Sequence, residues 1–387
     1  MKTPEKKRIL LMADYSNFHA TLALGLRKLG CEVTVASDGG SFMKCNRDVD
    51  LSRRFSGKLG GLLYAVDVYR NTLTKLKGFD IVSFRDPAFL DLKPNNIAWL
   101  FNVIASKNTR CYLSYLSTDI PFLDMLEAPD SPLRYNEWFI SGEPNRNRIQ
   151  NSALWDSWHS PQMAALNRAF YARIDGAVTA LYEYHQSALR IFPKERVAYG
   201  GLPVDVDSID HKVISNPQKV RIFLARDYRR KLEKGSDLLE VAARNVVSRH
   251  PHKAELVMVE NVSRSEYLKL MQSCHLMLDQ MYSYTPATMA LEGMASGLSV
   301  ISGGEEDFYN FIGENELRPI INSPVDLETL ERTVEEAVLN PALFEGRSRM
   351  GRAFVEKHHR PEVVAARFLD FWNRREEFHR QKKTPEA

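Results

Sequence analysis

Apolar residues along this chain gather in short runs set between longer stretches of helical spacing. Residues 8–13, Arg-Ile-Leu-Leu-Met-Ala, read as a buried strand. A polar loop follows over 14–17, and residues 19–29 then carry apolar positions three and four apart before stopping at Gly30. A second strand over 32–36 completes a βαβ unit. Short strands recur at 79–84, 111–115 and 176–179, which predicts a doubly wound parallel sheet. Gly200-Gly-Leu-Pro-Val-Asp205 interrupts the alternation and is read as a hinge. A new alternation begins beyond it, with strands at 220–225, 254–259, 275–278 and 298–301 and helices over 236–250, 264–273 and 286–296. The expected fold class is therefore α/β: two Rossmann-like, doubly wound parallel-sheet domains facing a cleft. After Asp326 the pattern is helical. Residues 361–380 read as an amphipathic helix with Val363, Val364, Phe368, Phe371 and Trp372 on its apolar side, and the tail 381–387 reads as disordered.

Composition narrows the class without naming it. At roughly 150 residues per domain, 387 residues suggest two or three domains. With 44% hydrophobic and 26% charged residues, the chain is an ordinary globular protein, not a disordered, collagenous or coiled-coil one. The 52 Lys and Arg against 49 Asp and Glu leave +3, which gives no support to wholesale nucleic-acid binding. No apolar run approaches the roughly 18 residues of a membrane span, and Lys6, Lys7 and Arg8 lead into a stretch without the cleavage site of a signal peptide. Cys31, Cys45, Cys111 and Cys274 are scattered, as expected for reduced thiols in a cytoplasm.

Phosphate-binding loops test the cofactor classes. The first strand-to-helix turn, Asp14-Tyr-Ser-Asn-Phe-His19, has no glycine, so the dinucleotide fingerprint is missing, and no GxxxxGK[ST] occurs. The pairs Asp48/Asp50 and Asp205/Asp207 do not follow strands that would aim both carboxylates at one cation. His250/His252 and His358/His359 read as solvated surface, so no metal is expected. What remains is the strand 220–225 and the loop after it, with Arg221, Arg226, Arg229, Arg230, Lys231 and Lys234 as cations against Asp227 and Glu233; its charge suits a diphosphate, though a solvated basic loop has the same composition. Further on, residues 279–297 read as strand end, loop and helix, with Thr285 as N-cap, Pro286 at the first helical position and Gly297 past the end, an arrangement that offers free N–H groups to an anion. Trp138, Trp155 and Trp158 cluster with Tyr135 and Phe139 as either an acceptor platform or ordinary packing.

Taken in order, these pieces resemble the retaining, nucleotide-sugar-dependent glycosyltransferases of the GT-B fold, the bacterial group 1 class active in surface-polysaccharide assembly. The residues that carry the likeness are Arg226, Lys234-Gly235 and Leu291-Glu-Gly-Met-Ala-Ser-Gly-Leu298, joined by Gly201-Leu-Pro-Val-Asp205 and Phe79-Asp-Ile-Val82. The resemblance implies an acceptor-side domain over 1–202, a donor-binding domain over 203–360, and the helix 361–380 packing back on the first. It implies that Arg226 and Lys234 bind the donor diphosphate and stabilise the leaving group without metal or other cofactor. Glu292 would hold the donor ribose. The family's preceding glutamate falls at Tyr284, a departure that leaves Asp279, Tyr284 or Thr285 to take its role. Gly304 and Glu305 would contact the donor sugar, or form a plain turn. On the acceptor side stand Asp14, Tyr15 and His19, with Asp119 either activating the acceptor hydroxyl or capping a helix. The expected function is sugar transfer, with retention, to a saccharide or lipid-linked acceptor at the cytoplasmic side of a membrane, with peripheral membrane association. A non-catalytic nucleotide-sugar-binding relative and a GT-B epimerase or phosphorylase are the alternatives.

Overall fold

The computed structural model describes residues 6–39 and 45–381, so for 382–387 the expected disorder of the tail lies outside the described residues. Among these residues the strands are β1 Arg8–Met12, β2 Glu32–Ser37, β3 Val49–Asp50, β4 Ile81–Phe84, β5 Arg110–Tyr115, β6 Phe139–Ile140, β7 Glu143–Pro144, β8 Ala177–Thr179, β9 Val197–Tyr199, β10 Val220–Ala225, β11 Ala254–Val259, β12 Leu276–Leu278, β13 Ser299–Ser302 and β14 Ile321–Asn322. They divide between two compact units. Unit 1 comprises the chain up to Met125, Ala153–Pro203 and the chain from Pro361; unit 2 comprises Leu126–Ser152 and Val204–Arg360.

Unit 1 is a seven-stranded sheet in the order β3-β2-β1-β4-β5-β8-β9, every pair parallel. The interior strand β1, third in that order, explains the continuous apolar run: Ile9, Leu10, Leu11 and Met12 are fully buried because helices cover both faces of a parallel sheet. The last helix, Pro361–Gln381, lies against the first, Phe18–Lys28, and seats Phe368, Phe371 and Trp372 in the core. Gly25 makes this approach possible, since a Cβ there would fall 2.0 Å from the carbonyl oxygen of Pro361.

Unit 2 is a five-stranded parallel sheet in the order β11-β10-β12-β13-β14. It also takes in residues 126–152, which the sequence pattern grouped with the N-terminal half of the chain. That segment carries the β6–β7 hairpin, and Arg146 fixes it by a two-pronged ion pair to Asp237 at 2.7 and 3.2 Å. Short side chain contacts of this kind leave no periodic trace, so hydropathy alone could not assign the segment. Tyr135, Trp138 and Phe139 in unit 2 and Trp155 in unit 1 are buried, which is packing, while Trp158 is half-buried.

Two expectations need correction. His358 and His359 are buried, not solvated: His358 Nε2 lies 2.6 Å from Glu314, itself 1% exposed. The helix expected from residue 286 is Thr288–Ser296, preceded by Ala287 without a side-chain cap, so Thr285 is a buried loop residue. Gly297 does close that helix, at φ 105°.

Candidate functional site

In unit 2 the strand order reverses between β10 and β12. Loops leaving the carboxyl ends of strands at such a switch point form the ligand crevice of a doubly wound sheet. Arg226 leaves β10 there, and its guanidinium bonds Glu260 on one side, Nη2 to Oε2 at 2.7 Å, and Glu240 on the other. Hydrogen bonding to Glu260, with the charge of Glu240 beside it, holds Arg226 above its ordinary pKa. A short turn brings the chain to Lys234, whose ammonium is 3.8 Å from Asp279 at the end of β12. Gly235 follows at φ 69°, where a Cβ would meet the Met281 sulfur at 2.8 Å, so the two loops interlock through a residue without a side chain. Asp279 is 4% exposed and accepts from the Ser302 hydroxyl at 2.9 Å.

The basic loop is thus not bare. Arg221 pairs with Glu255, Arg226 with Glu240 and Glu260, and Arg230 with Glu233. A dianionic ligand would share these cations with carboxylates that already neutralise them, not settle into an uncompensated positive field.

Glu292, on the helix Thr288–Ser296, is 7% exposed and accepts from Arg264 at 2.5 Å. Arg264 opens the helix Arg264–Gln272, beyond the carboxyl end of β11. Burial raises the Glu292 pKa and the Arg264 charge opposes that rise. The second carboxylate oxygen, Oε2, and the second guanidinium nitrogen, Nη1, are both buried with no hydrogen-bond partner. One is an acceptor and the other a donor, and leaving each unsatisfied costs about 1–3 kcal/mol. A hydroxyl-bearing ligand, which both donates and accepts, would satisfy the pair.

Tyr284 is fully buried. Its hydroxyl accepts from the Arg134 backbone N–H at 2.6 Å, and its ring stacks on Tyr135 with centroids 4.9 Å apart. Burial pushes its pKa up. Glu305 accepts from Arg134 and Tyr135, each at 2.6 Å, and from Asn322 at 2.8 Å. Gly304 donates its N–H to Asn322 at 3.0 Å. Tyr284 and Glu305 therefore grip residues 134 and 135, while Thr285 is 1% exposed. Arg134, Arg264, Glu240 and Glu260 belong to this constellation although the sequence pattern did not single them out, and Tyr135, read there only as part of an aromatic cluster, joins them. Nothing in their local spacing marks them, since they come from segments far apart in the chain: residues 134 and 135, the helix Ser236–Arg249, the end of β11 and the helix Arg264–Gln272.

The residues expected on the acceptor side lie beyond the carboxyl ends of β1 and β5 in unit 1. Asp14 is 1% exposed and accepts from the N–H groups of His19 and Ala20 at 3.1 and 2.9 Å; burial raises its pKa to about 6. The loop bends sharply there, with Ala13, Ser16 and Asn17 all at positive φ. His19 is fully buried, with Nδ1 2.5 Å from the Ala13 carbonyl and Nε2 2.9 Å from the Ser114 hydroxyl. The carbonyl can only accept, so Nδ1 carries the proton, and burial lowers the pKa to about 4. Tyr15 is 40% exposed and is the one of these three that meets solvent. Asp119 is also fully buried: it accepts from Tyr115 at 2.6 Å, from Tyr171, and from the Phe122 N–H at 3.0 Å at the start of the helix Ile120–Glu127. Of its two expected roles, this geometry is the cap, and the carboxylate has no surface open to an acceptor.

No protein-family model matches the chain, and a search of curated proteins finds no match. Solved structures do resemble it. A sucrose-phosphate synthase from Thermosynechococcus elongatus aligns over 97% of this chain and 100% of its own at 12% identity and a TM-score of 0.57. Anabaena HepE, determined with UDP-glucose, aligns over 95% and 99% at 12% identity and 0.56. A glycosyltransferase from Rickettsia africae aligns over 96% and 99% at 14% identity and 0.54. At such identities the likeness is one of fold, and the fold is the two Rossmann-like parallel sheets of the GT-B class.

Proposed function

We propose that the protein is a glycosyltransferase that takes its sugar from a nucleoside diphosphate donor held by unit 2. The observation that carries this reading is the buried Glu292–Arg264 pair, with one unpartnered acceptor and one unpartnered donor, on the same sheet edge as Arg226 and Lys234. A ribose diol satisfies both orphan atoms. The diphosphate then meets the N–H groups that Arg226 has left, since its carboxylates occupy three of the five a guanidinium offers. Lys234 adds a mobile ammonium. Both cations stabilise the charge that grows on the leaving diphosphate as the glycosidic bond breaks, a role that requires donors placed in advance. Tyr284, gripped by residue 134, and Asp279 shape the space for the donor sugar in place of a second glutamate. UDP is the first nucleotide to try, because HepE was determined with UDP-glucose. Retention of configuration, a saccharide or lipid-linked acceptor and a place in surface-polysaccharide synthesis are proposed from the sequence resemblance.

Calorimetric titration with UDP tests the donor site. Glu292→Gln is expected to weaken UDP binding by roughly tenfold or more, the worth of a hydrogen bond to a charged group, and to bring UDP and 2′-deoxy-UDP closer together in affinity. Absence of binding for a panel of nucleoside diphosphates to the folded wild type would sink the proposal. Binding without turnover across donors and acceptors would favour a non-catalytic relative, the reading that Tyr284 at the glutamate position supports.

A further inference from the structure

The helix Gly57–Thr74 buries Gly60, Tyr64, Val68, Asn71 and Thr72 against the rest of unit 1. Its other side is apolar as well. Leu59, Leu62, Leu63, Val66 and Tyr69 recur at one-face spacing and are 70%, 61%, 49%, 59% and 45% exposed. Phe55, just before the helix, is 63% exposed. On the neighbouring helix Pro94–Ser106, Trp99 is 45% exposed and stacks flat on Tyr69, with centroids 5.0 Å apart and planes 10° from parallel. Scattered exposed leucines are unremarkable, but a continuous apolar stripe this long on a monomer's surface marks an interaction site.

Charge selects the partner. Residues 53–77 hold Arg53, Arg54, Lys58, Arg70, Lys75 and Lys77 against Asp67 alone, a local +5 in a chain whose net charge is +3. A two-fold contact between copies of this chain would set that basic segment against itself. A sheet of anionic headgroups is its complement, and a helix with large apolar residues on the outward face, cations beside them and an aromatic pair at the edge is built to lie in a bilayer interface. We propose that the outward face of Gly57–Thr74, with Phe55 and Trp99, docks on membranes containing anionic phospholipid. This surface goes beyond the donor-site reading and stands without it, because its readout is partitioning and not turnover.

The test is co-sedimentation of the full chain with vesicles of phosphatidylcholine alone or mixed with phosphatidylglycerol. Wild type is expected to bind the mixed vesicles, at least tenfold more weakly in phosphatidylcholine alone or at high salt. Two doubly substituted proteins probe the two forces separately: Leu62→Ser with Val66→Ser, and Lys58→Glu with Lys75→Glu. All four positions lie outside the buried core, so circular dichroism and UDP titration should match wild type, while vesicle binding falls at least tenfold in each. No binding by wild type, or binding unchanged in both proteins, overturns the proposal. So does a concentration-dependent dimer that Leu62→Ser with Val66→Ser dissolves in the absence of vesicle binding, which would assign the stripe to a second copy.

Discussion

Arg226 sits between two carboxylates, and that arrangement makes a quantitative claim about single residues. Glu240 is shared by Arg226 and Arg244, so these groups with Glu260 sum to zero, and the two carboxylates neutralise the guanidinium that an incoming diphosphate would use. Removing one of those charges should help binding. Glu260→Gln is expected to tighten UDP roughly fivefold, about 1 kcal/mol after allowing for solvent screening of a partly exposed pair. Arg226→Ala should weaken it. Calorimetry of both reads the sign directly, and weaker binding by Glu260→Gln would mean that Glu260 is needed to aim the guanidinium more than it hinders the ligand. Glu292 and Arg264 work differently, because there the orphan atoms are buried and the ligand completes the pair without competing with it.

Among the elements, the pairing of the first and last helices of unit 1 depends on a single missing side chain. Phe18–Lys28 and Pro361–Gln381 touch where Gly25 meets the Pro361 backbone, and backbone atoms cannot swing aside as a flexible side chain would. Gly25→Val should therefore push the helices apart and loosen Phe368 and Trp372 from the core beneath them. The expected loss is about 3 kcal/mol, the upper range for overpacking a tight contact, read as a lower urea midpoint. A midpoint equal to wild type would show that this helix contact adjusts freely. Gly235 in unit 2 is constrained differently: its Cβ would meet only the flexible Met281 side chain, and it is the positive φ of 69° that favours glycine where the loop of Lys234 meets the loop of Asp279.

Across the whole molecule the two units should answer acid differently. In unit 1, burial raises Asp14 and Asp119 from an ordinary 3.8 to about 6, so the stability they contribute is present below about 3.8 and lost as pH rises through 6. Burial lowers His19 and His185 from 6.5 to about 4, so theirs is present above 6.5 and lost as pH falls through 4. These four shifts, two of each sign and of similar size, nearly cancel over that interval; burial pushes Asp50 up, but hydrogen bonds from Ser52 and Arg47 outweigh it and hold it at about 2, so its stability is lost only below about 3.8. In unit 2, burial pushes Glu314 up, but hydrogen bonds from Leu317, Lys357, His358 and Glu316 outweigh it and hold the carboxyl well below its ordinary 4.5. That stability is complete above about 4.5 and lost as pH falls further. Scanning calorimetry from pH 7 to 3.5 should show unit 2 melting progressively earlier below pH 4.5 while unit 1 changes little. Glu314→Gln should destabilise unit 2 at neutral pH and flatten its acid limb; an equally steep limb in that variant would place the sensitivity elsewhere.

The alternation of short apolar runs with helical stretches determined the two parallel sheets, because strands buried on both faces must be apolar throughout and their connecting helices must keep a 3.6-residue period. The positions of Arg226, Asp279 and Glu292 were legible for a related reason: each sits at the end of a strand or inside a helix whose position the pattern fixes, while Lys234 lies in the connection between β10 and the helix Ser236–Arg249. Tertiary structure alone decided the rest. Residues 126–152 joined unit 2 through a few ion pairs and a tyrosine stack, His358 and Asp119 went inside because buried partners were waiting for them, and Arg264 came to Glu292 from another loop. The apolar stripe of Gly57–Thr74 belongs with these. Its leucines have the spacing of a core, and only the fold shows that the core already lies on the helix's other side.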